Sequence, residues 1–328
     1  MHIRILTLNF FLRPPGISDH LTSDDWKRHR IRLFARREFN NYDIITFQET
    51  FAFGSSRRKK LINLARNAGF HHSFVARKMP WYAGRIDAGL VILSRFPIVA
   101  TEEWTFEERG TQVGDFLAAK GIIYAKIQLN ATHLHLFTTH LQSSDSEKAI
   151  VKRHKQFSEA KQFIDNTLLK HGRTDIEPVL FSGDMNVDAR KNADDGVNNG
   201  WEYDLMINIY SGRQISVPNT TEFQAKYDIC DVCYEALGEH PITTSKLRAS
   251  EPADRKCIDF IFSLRPAASD GQKNIHFENV RVEKFLVEEH RFDFLSDHFG
   301  IAADVIVDDV SLLSDPVDVS DDSTMDRL

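Results

Sequence analysis

Six short polar segments stand at the ends of hydrophobic runs: Leu8-Asn9, Gln48-Glu49, Thr139-His140-Leu141, Gly183-Asp184-Met185-Asn186, Ile258-Asp259-Phe260 and Ser296-Asp297-His298. Their residue types suit hydrolysis at phosphorus. Carboxylates hold a hard divalent cation, Asn and His donate to phosphate oxygens, and an Asp–His pair moves a proton. Glu49 follows Ile44-Ile45-Thr46-Phe47, so it emerges from a buried run where an unpaired carboxylate is costly. Mg²⁺ is a natural partner, with Mn²⁺ as the alternative ion. The plainer explanation is a salt-bridged structural glutamate.

Asp184 and Asn186 are two residues apart, so both side chains can address one cavity while Met185 packs away. An Asx turn is the plainer alternative. Gly183 before them permits a turn or a close backbone approach. His298 can serve as general base near neutral pH if a carboxylate orients it. Asp297 is adjacent in sequence, but Asp259 on a neighbouring strand is better placed, because successive strand residues face opposite ways. His140 and Asn9 each end a strand and can stabilise charge on phosphate oxygens. A satisfied core histidine and a turn asparagine are the ordinary alternatives.

These residues need a scaffold of alternating strands and helices. Expected strands are 3–8, 42–47, 89–94, 121–129, 133–138, 178–182, 257–263, 279–287 and 299–307. Helices are expected from Ser23-Asp24-Asp25 onward, over 61–68 with Gly69 as C-cap, over 146–169 and over 231–237. The chemistry-bearing residues run from Asn9 to His298, so one site draws on both halves of the chain. The expectation is one catalytic domain over 1–308 and an acidic, disordered tail over 309–328.

With 328 residues and 42% hydrophobic content, the chain can bury a large core. Its net charge of −6 lies mostly in the tail, where six aspartates face Arg327. The body is nearly neutral, unlike the strongly basic body of a general DNA binder. Three cysteines argue against a disulfide framework and for a reducing compartment. Cys230 and Cys233 have metal-ligand spacing but no second pair, so they read as helical core cysteines. No signal peptide and no run of about 20 apolar residues is visible, which points to a cytoplasmic or peripheral membrane location.

In this order the segments resemble the endonuclease/exonuclease/phosphatase superfamily of metal-dependent phosphoesterases, over about 1–307. Within it the chain is most similar to the neutral sphingomyelinases, through Thr139-His140-Leu141-Gln142-Ser143-Ser144, Asp87-Ala88-Gly89-Leu90-Val91-Ile92-Leu93-Ser94 and Asp231-Val232-Cys233-Tyr234-Glu235-Ala236-Leu237. Thr139 and Ala88 depart from the family's Asn and Gly. The resemblance implies a four-layer α/β sandwich: two packed mixed β-sheets, helices outside, and the site at one edge of the sheets. It implies that Glu49 binds Mg²⁺ and that Asp297 approaches the metal from the other side of the site. Asn9 and His140 would contact phosphate, Asp184 and Asn186 would position water and phosphate, and His298, held by Asp259, would be the general base. The sequence leaves open whether His298 or Asp184 takes the proton, and whether one metal or two operate.

The activity implied is a phosphodiesterase that hydrolyses a phospholipid headgroup bond at a membrane surface, foremost sphingomyelin to ceramide and phosphocholine. Phe10, Phe11, Leu12 and Pro14, and the stretch Met79-Pro80-Trp81-Tyr82, are candidate docking residues. A nuclease or DNA-repair phosphodiesterase is the alternative. Its nucleic-acid contacts would be Lys27-Arg28-His29-Arg30, Arg36-Arg37 and Arg57-Arg58-Lys59-Lys60. The ordinary reading of those runs is the solvated face of amphipathic helices. A phosphoinositide phosphatase is a further alternative, but Asp254-Arg255 lacks the Trp of that group's second motif. The presence of Glu49, Asp184 and His298 together argues against an inactive scaffold. The sequence does not specify an oligomeric state.

Overall fold

The computed structural model describes residues 1–19, 24–78, 86–107, 118–191, 193, 196, 198–213, 225–267 and 275–308. Its strands form two six-stranded sheets. The first runs β11 (Ile275–Glu283), β12 (Gly300–Val307), β1 (His2–Asn9), β2 (Ile44–Gln48), β4 (Val91–Ser94), β3 (His72–Val75). The second runs β5 (Ile98–Thr105), β6 (Gly121–Gln128), β7 (His133–His140), β8 (Val179–Asp184), β10 (Asp259–Pro266), β9 (Tyr227–Asp231).

The central strands β2 and β8 are buried along their whole length, which is why their sequences read as continuous apolar runs rather than alternating ones. Ile5, Ile44, Ile92, Leu136, Leu180, Ile261 and Ile301 fill the space between the sheets. Polar pairs cross the same space: Thr46 meets Ser182 at 3.1 Å and Gln48 donates to Thr138 at 3.0 Å, while Gln48 also donates to Thr7 on the neighbouring strand of its own sheet. Helices α1 (Lys27–Arg37) and α2 (Arg57–Asn67) cover the first sheet through Ile31, Phe34, Leu61 and Ala65. Helices α3 (Glu147–Lys170) and α4 (Trp201–Tyr210) cover the second through Phe157, Ile164 and Met206. Ser146 caps α3 by accepting from the Ala149 amide, and Asp231 caps the short α5 (Val232–Leu237) by accepting from Cys233 and Tyr234. The result is the four-layer sandwich expected.

Several local expectations fail for physical reasons. Helix α1 starts at Lys27, because Asp25 and Trp26 take left-handed φ of 56° and 49°; Ser23 lies outside the described residues. Strand β11 covers Ile275–Glu283 rather than 279–287. Its ladder shifts between Glu278 and Arg281, and Asn279, with φ 47°, sits in that irregularity instead of opening the strand. Strand β10 opens at Asp259, not at Cys257. Cys230 lies on β9 rather than on a helix, Cys233 is on α5, and both are buried free thiols like Cys257. The tail 309–328 lies outside the described residues.

Candidate active site

Three strand ends of the second sheet bring three of the candidate residues side by side. The parallel pairing of β7 with β8 sets His140 opposite Asp184, and the antiparallel pairing of β10 sets Asp259 opposite Asp184 from the other side. Glycine is required just before Asp184: a Cβ on Gly183 would lie 2.1 Å from the Thr139 carbonyl oxygen. From the first sheet, the ends of β1 and β2 deliver Asn9, paired with Gln48, and then Glu49.

Asp184 is the hub. Its Oδ2 accepts from Asn9 Nδ2 at 3.0 Å and lies 3.3 Å from His140 Nε2 and 3.9 Å from His298 Nε2. Its Oδ1 accepts from the Asn186 amide at 2.9 Å, and Asn186 Nδ2 donates to the Leu141 carbonyl at 2.9 Å. His298 Nδ1 and Asp259 Oδ2 are 2.9 Å apart. Asn9, His140, Asp184, Asn186, Asp259 and His298 are thus one connected cluster.

The charges follow from burial and neighbours. Burial works against ionisation of Asp184, yet His140, His298, the Asn9 hydrogen bond and Lys120 outweigh it and hold the carboxyl below its usual range. Burial raises Asp259 to about 6. Burial also works against the His298 cation, but Asp259 with its hydrogen bond, then Asp184 and Asp297, hold its proton well above the ordinary histidine range. Burial and Lys120 push His140 down to about 3, so this imidazole is neutral. Lys120, absent from the sequence reading, lies with Nζ 2.7 Å from His140 Nε2. It precedes Gly121, the residue paired with His140, so only the β6–β7 register could have revealed it.

Glu49 and Asp297 form a second, acidic group. Glu49 is half-buried with a left-handed φ of 57°, and its Oε2 is buried without a hydrogen-bond partner. Burial, and then the Glu49 charge, raise Asp297 to about 7 against the pull of His298, Arg13 and Arg30. Two close carboxylates, one with an orphaned oxygen and one reluctant to ionise, are a donor set that a hard divalent cation fits. Asp184, Asp259 and His298 also cluster closely enough to hold an ion, their ligand atoms lying within 4.8 Å of one another. There, however, His298 Nδ1 and Asp259 Oδ2 already satisfy each other.

The Glu49 backbone is held from behind. Leu12 N donates to the Glu49 carbonyl at 3.1 Å, and Thr50 N and Oγ1 both donate to the Gly89 carbonyl at 2.8 Å. Gly89 has φ 67°, and a Cβ there would lie 3.1 Å from the Phe51 ring and the Thr50 amide. Asp87 accepts from the Gly89 and Ala52 amides at 2.9 and 3.3 Å and from Arg58 Nη1 at 2.6 Å.

The model of the Endonuclease/Exonuclease/phosphatase family matches residues 18–298. The chain belongs to this family. It is 28% identical to sphingomyelinase C 2 of Leptospira interrogans over 94% of the chain and 47% of that protein, so it spans about half of that relative's length. It is 34% identical to a sphingomyelinase C of Bacillus cereus over 72% of the chain and 73% of the relative. Among solved structures, beta toxin from Staphylococcus aureus superposes with a TM-score of 0.66 at 18% identity, covering 92% of the chain and 99% of the toxin. A variant of that toxin was solved with bound magnesium ions. D. rerio TDP2 complexed with a single-strand DNA product superposes with a TM-score of 0.60 at 16% identity, covering 93% of the chain and 99% of TDP2. The resemblance to the neutral sphingomyelinases within the family is borne out by these relatives.

Two sequence expectations around the site are corrected. Phe10, Phe11, Leu12 and Pro14 are buried, not displayed for docking; Phe10 stacks on Phe47 with centroids 5.2 Å apart and packs tilted against Phe34 at 4.9 Å. Met79-Pro80-Trp81-Tyr82 lie outside the described residues. The basic runs are not uniformly solvated either. Lys27, Arg30, Arg57 and Arg58 are buried. Arg30 donates to the Phe10, Phe11, Asp25 and Leu295 carbonyls, tying the loop after Asn9 to the segment before Asp297. Thr139, the departure from the family's Asn, donates to the Gly121 carbonyl at 2.7 Å.

Proposed function

We propose that this chain is a divalent-metal-dependent phosphodiesterase that hydrolyses a phospholipid headgroup bond, with sphingomyelin to ceramide and phosphocholine as the leading reaction. The observation that carries the reading is the convergence of the Asn9–His140–Asp184–Asn186–Asp259–His298 cluster with the Glu49–Asp297 carboxylates, in a chain 34% identical to a sphingomyelinase C. Glu49 and Asp297 would hold Mg²⁺ or Mn²⁺, and when bound the ion supplies positive charge against the phosphate oxygens. Asn9 fixes the Asp184 carboxylate, and neutral His140 offers a ring nitrogen without adding charge. Asp184, kept anionic, orients the attacking water together with Asn186. His298 and Asp259 are the proton-transfer pair. His298 serves as base in its neutral form and as donor to the leaving oxygen in its charged form.

The catalytic unit is residues 1–308, with 309–328 as an acidic tail. No helix among the described residues is long and apolar enough to cross a membrane, in keeping with a protein that meets its lipid from the aqueous side. The nuclease reading loses part of its support, because Lys27, Arg30, Arg57 and Arg58 are buried and engaged internally. The test is Mg²⁺-dependent turnover compared across sphingomyelin vesicles, lysophospholipid, phosphoinositide and abasic or single-stranded DNA. Phosphocholine release supports the reading; cleavage of DNA alone overturns it.

A further inference from the structure

We propose that the outer face of α1 and α2, at the end nearest the active site, is an electrostatic docking surface for an anionic phospholipid bilayer. The inference rests on the phospholipid reading of the site. Neither helix contains an acidic residue: α1 is KRHRIRLFARR and α2 is RRKKLINLARN. Their cations divide into two sets. Lys27, Arg30, Arg57 and Arg58 point inward and are buried. Arg28, Arg32, Arg36 and Lys59 are exposed and Lys60 is half-buried. None of these five forms an ion pair with a described residue.

Arg28, Arg32 and Arg36 recur every fourth residue, so they form one stripe along α1. Lys60 of α2 lies beside that stripe: Arg32 and Arg28, after burial, are what depress its ammonium. Exposed Asp24 stands at the start of α1, and Glu38 at its far end pairs with Arg37, but the five cations outnumber these acids and form no ion pair of their own. Like charges gathered in this way repel one another, and a negative surface relieves the repulsion.

The position of the patch follows from the connections. Chain leaving Asn9 enters α1, and chain leaving Glu49 enters α2, so both helices start at the edge that carries the site. Lys27 Nζ donates to the Ile17 carbonyl at 2.6 Å and Arg57 Nη2 to the Arg13 carbonyl at 2.8 Å, both within the loop that follows Asn9. Arg28, Lys59 and Lys60 are the next outward-facing cations at that end. Phe53 stands in the Glu49–α2 loop and is 62% exposed. An exposed ring in the loop that leads into a helix carrying unpaired cations suits a bilayer, whose headgroups take the charges and whose acyl boundary takes the ring.

The test is cosedimentation of the full 328-residue chain with vesicles of phosphatidylcholine, with and without about one third phosphatidylserine. Binding should favour the phosphatidylserine vesicles and disappear at high salt. Arg28→Glu/Arg32→Glu/Lys59→Glu/Lys60→Glu should lower the vesicle partition by about 100-fold or more, at about fivefold per cation. Its thermal stability and its turnover of detergent-dispersed sphingomyelin should match wild type. The corresponding four-Gln variant gives a milder loss and guards against misfolding of the first. Equal wild-type partition onto both vesicles, or undiminished partition of a folded variant, overturns the surface. Retention on single-stranded DNA without phosphatidylserine preference also overturns it and gives the patch to nucleic acid. Failure of wild type to turn over dispersed sphingomyelin overturns the phospholipid reading instead, and is read separately from vesicle binding.

Discussion

His298 has Asp259 at 2.9 Å and Asp184 at 3.9 Å, and Asp297 precedes it in the chain. That negative surround, not the intrinsic chemistry of imidazole, sets its proton affinity. Two outcomes follow. His298→Ala should lower kcat by about 10²–10⁴-fold with circular dichroism unchanged, and near-normal phosphocholine release would remove His298 from the chemistry. Asp259→Asn deletes the strongest of the forces that raise the His298 pKa, so it must fall. The corresponding limb of the kcat–pH profile should move to lower pH, and an unmoved limb assigns that limb to another group. Lys120 acts in the opposite sense on His140, which burial and then Lys120 keep neutral. Lys120→Met should raise the His140 pKa, read by NMR of ring-labelled protein, and should reduce turnover. A titration identical to wild type would show that burial alone sets the state of His140.

The elements that present these residues are loops under backbone strain. Phe11, Glu49 and Asn186, each one or two residues past a strand end, have left-handed φ of 50°, 57° and 51°. Such strain persists only where the surroundings over-determine it. For Glu49 the surroundings are the Thr50–Gly89 hydrogen bonds and the Asp87–Arg58 pair. Asp87→Asn leaves a buried guanidinium without its charge partner. It should destabilise the fold by about 3–5 kcal/mol and weaken Mg²⁺ binding by about 10–100-fold. Calorimetric titration with Mg²⁺ and thermal unfolding read the two effects separately, and unchanged Mg²⁺ affinity would detach this support from Glu49. The motif residues themselves were legible because they stand at the ends of largely apolar, buried strands, at or just after the ends of β2 and β8 or at the start of β10. What holds them was not. Asp87 and Arg58 are 29 residues apart, and nothing in their own neighbourhoods announces a pair. Strands β3 and β5 escaped notice because β3 has only 4 residues and β5, at a sheet edge, is only partly buried, so neither shows a strong apolar pattern. The basic runs misled because charge counts do not distinguish an arginine that caps buried carbonyls, such as Arg30, from one in water, such as Arg28.

Across the whole molecule, ionisable groups are buried at both ends of the second sheet. At the start of β7, far along the strand from His140, His133 Nδ1 and His135 Nε2 meet the two oxygens of Glu177 at 2.7 and 3.2 Å, and His135 Nδ1 meets the Tyr124 hydroxyl at 2.9 Å. Lys126 Nζ approaches Glu177 at 3.7 Å. Burial pushes His135 down to about 4, against the attraction of Glu177. Glu177, despite its own burial, is held at about 2 by the Thr174 amide and the two histidines. Both groups bind fewer protons folded than unfolded, so both make stability rise with pH. For His135 the stability is complete above about pH 6.5 and is lost as the pH falls toward about 4. For Glu177 it is present above about pH 4.5 and is lost as the pH falls toward about 2. Asp259 and Asp231, each raised to about 6 by burial, work in the opposite direction, so the total profile mixes signs. A difference measurement removes them. Wild type should lose stability relative to His135→Gln as the pH falls from about 6.5 to 4, with the two melting temperatures converging or crossing by a shift on the order of 5 °C. Calorimetry in EDTA keeps divalent ions out of the comparison. A constant difference across that window would mean that His135 keeps its proton in the fold, and that the Glu177 carboxylate, not burial, governs this end of the sheet.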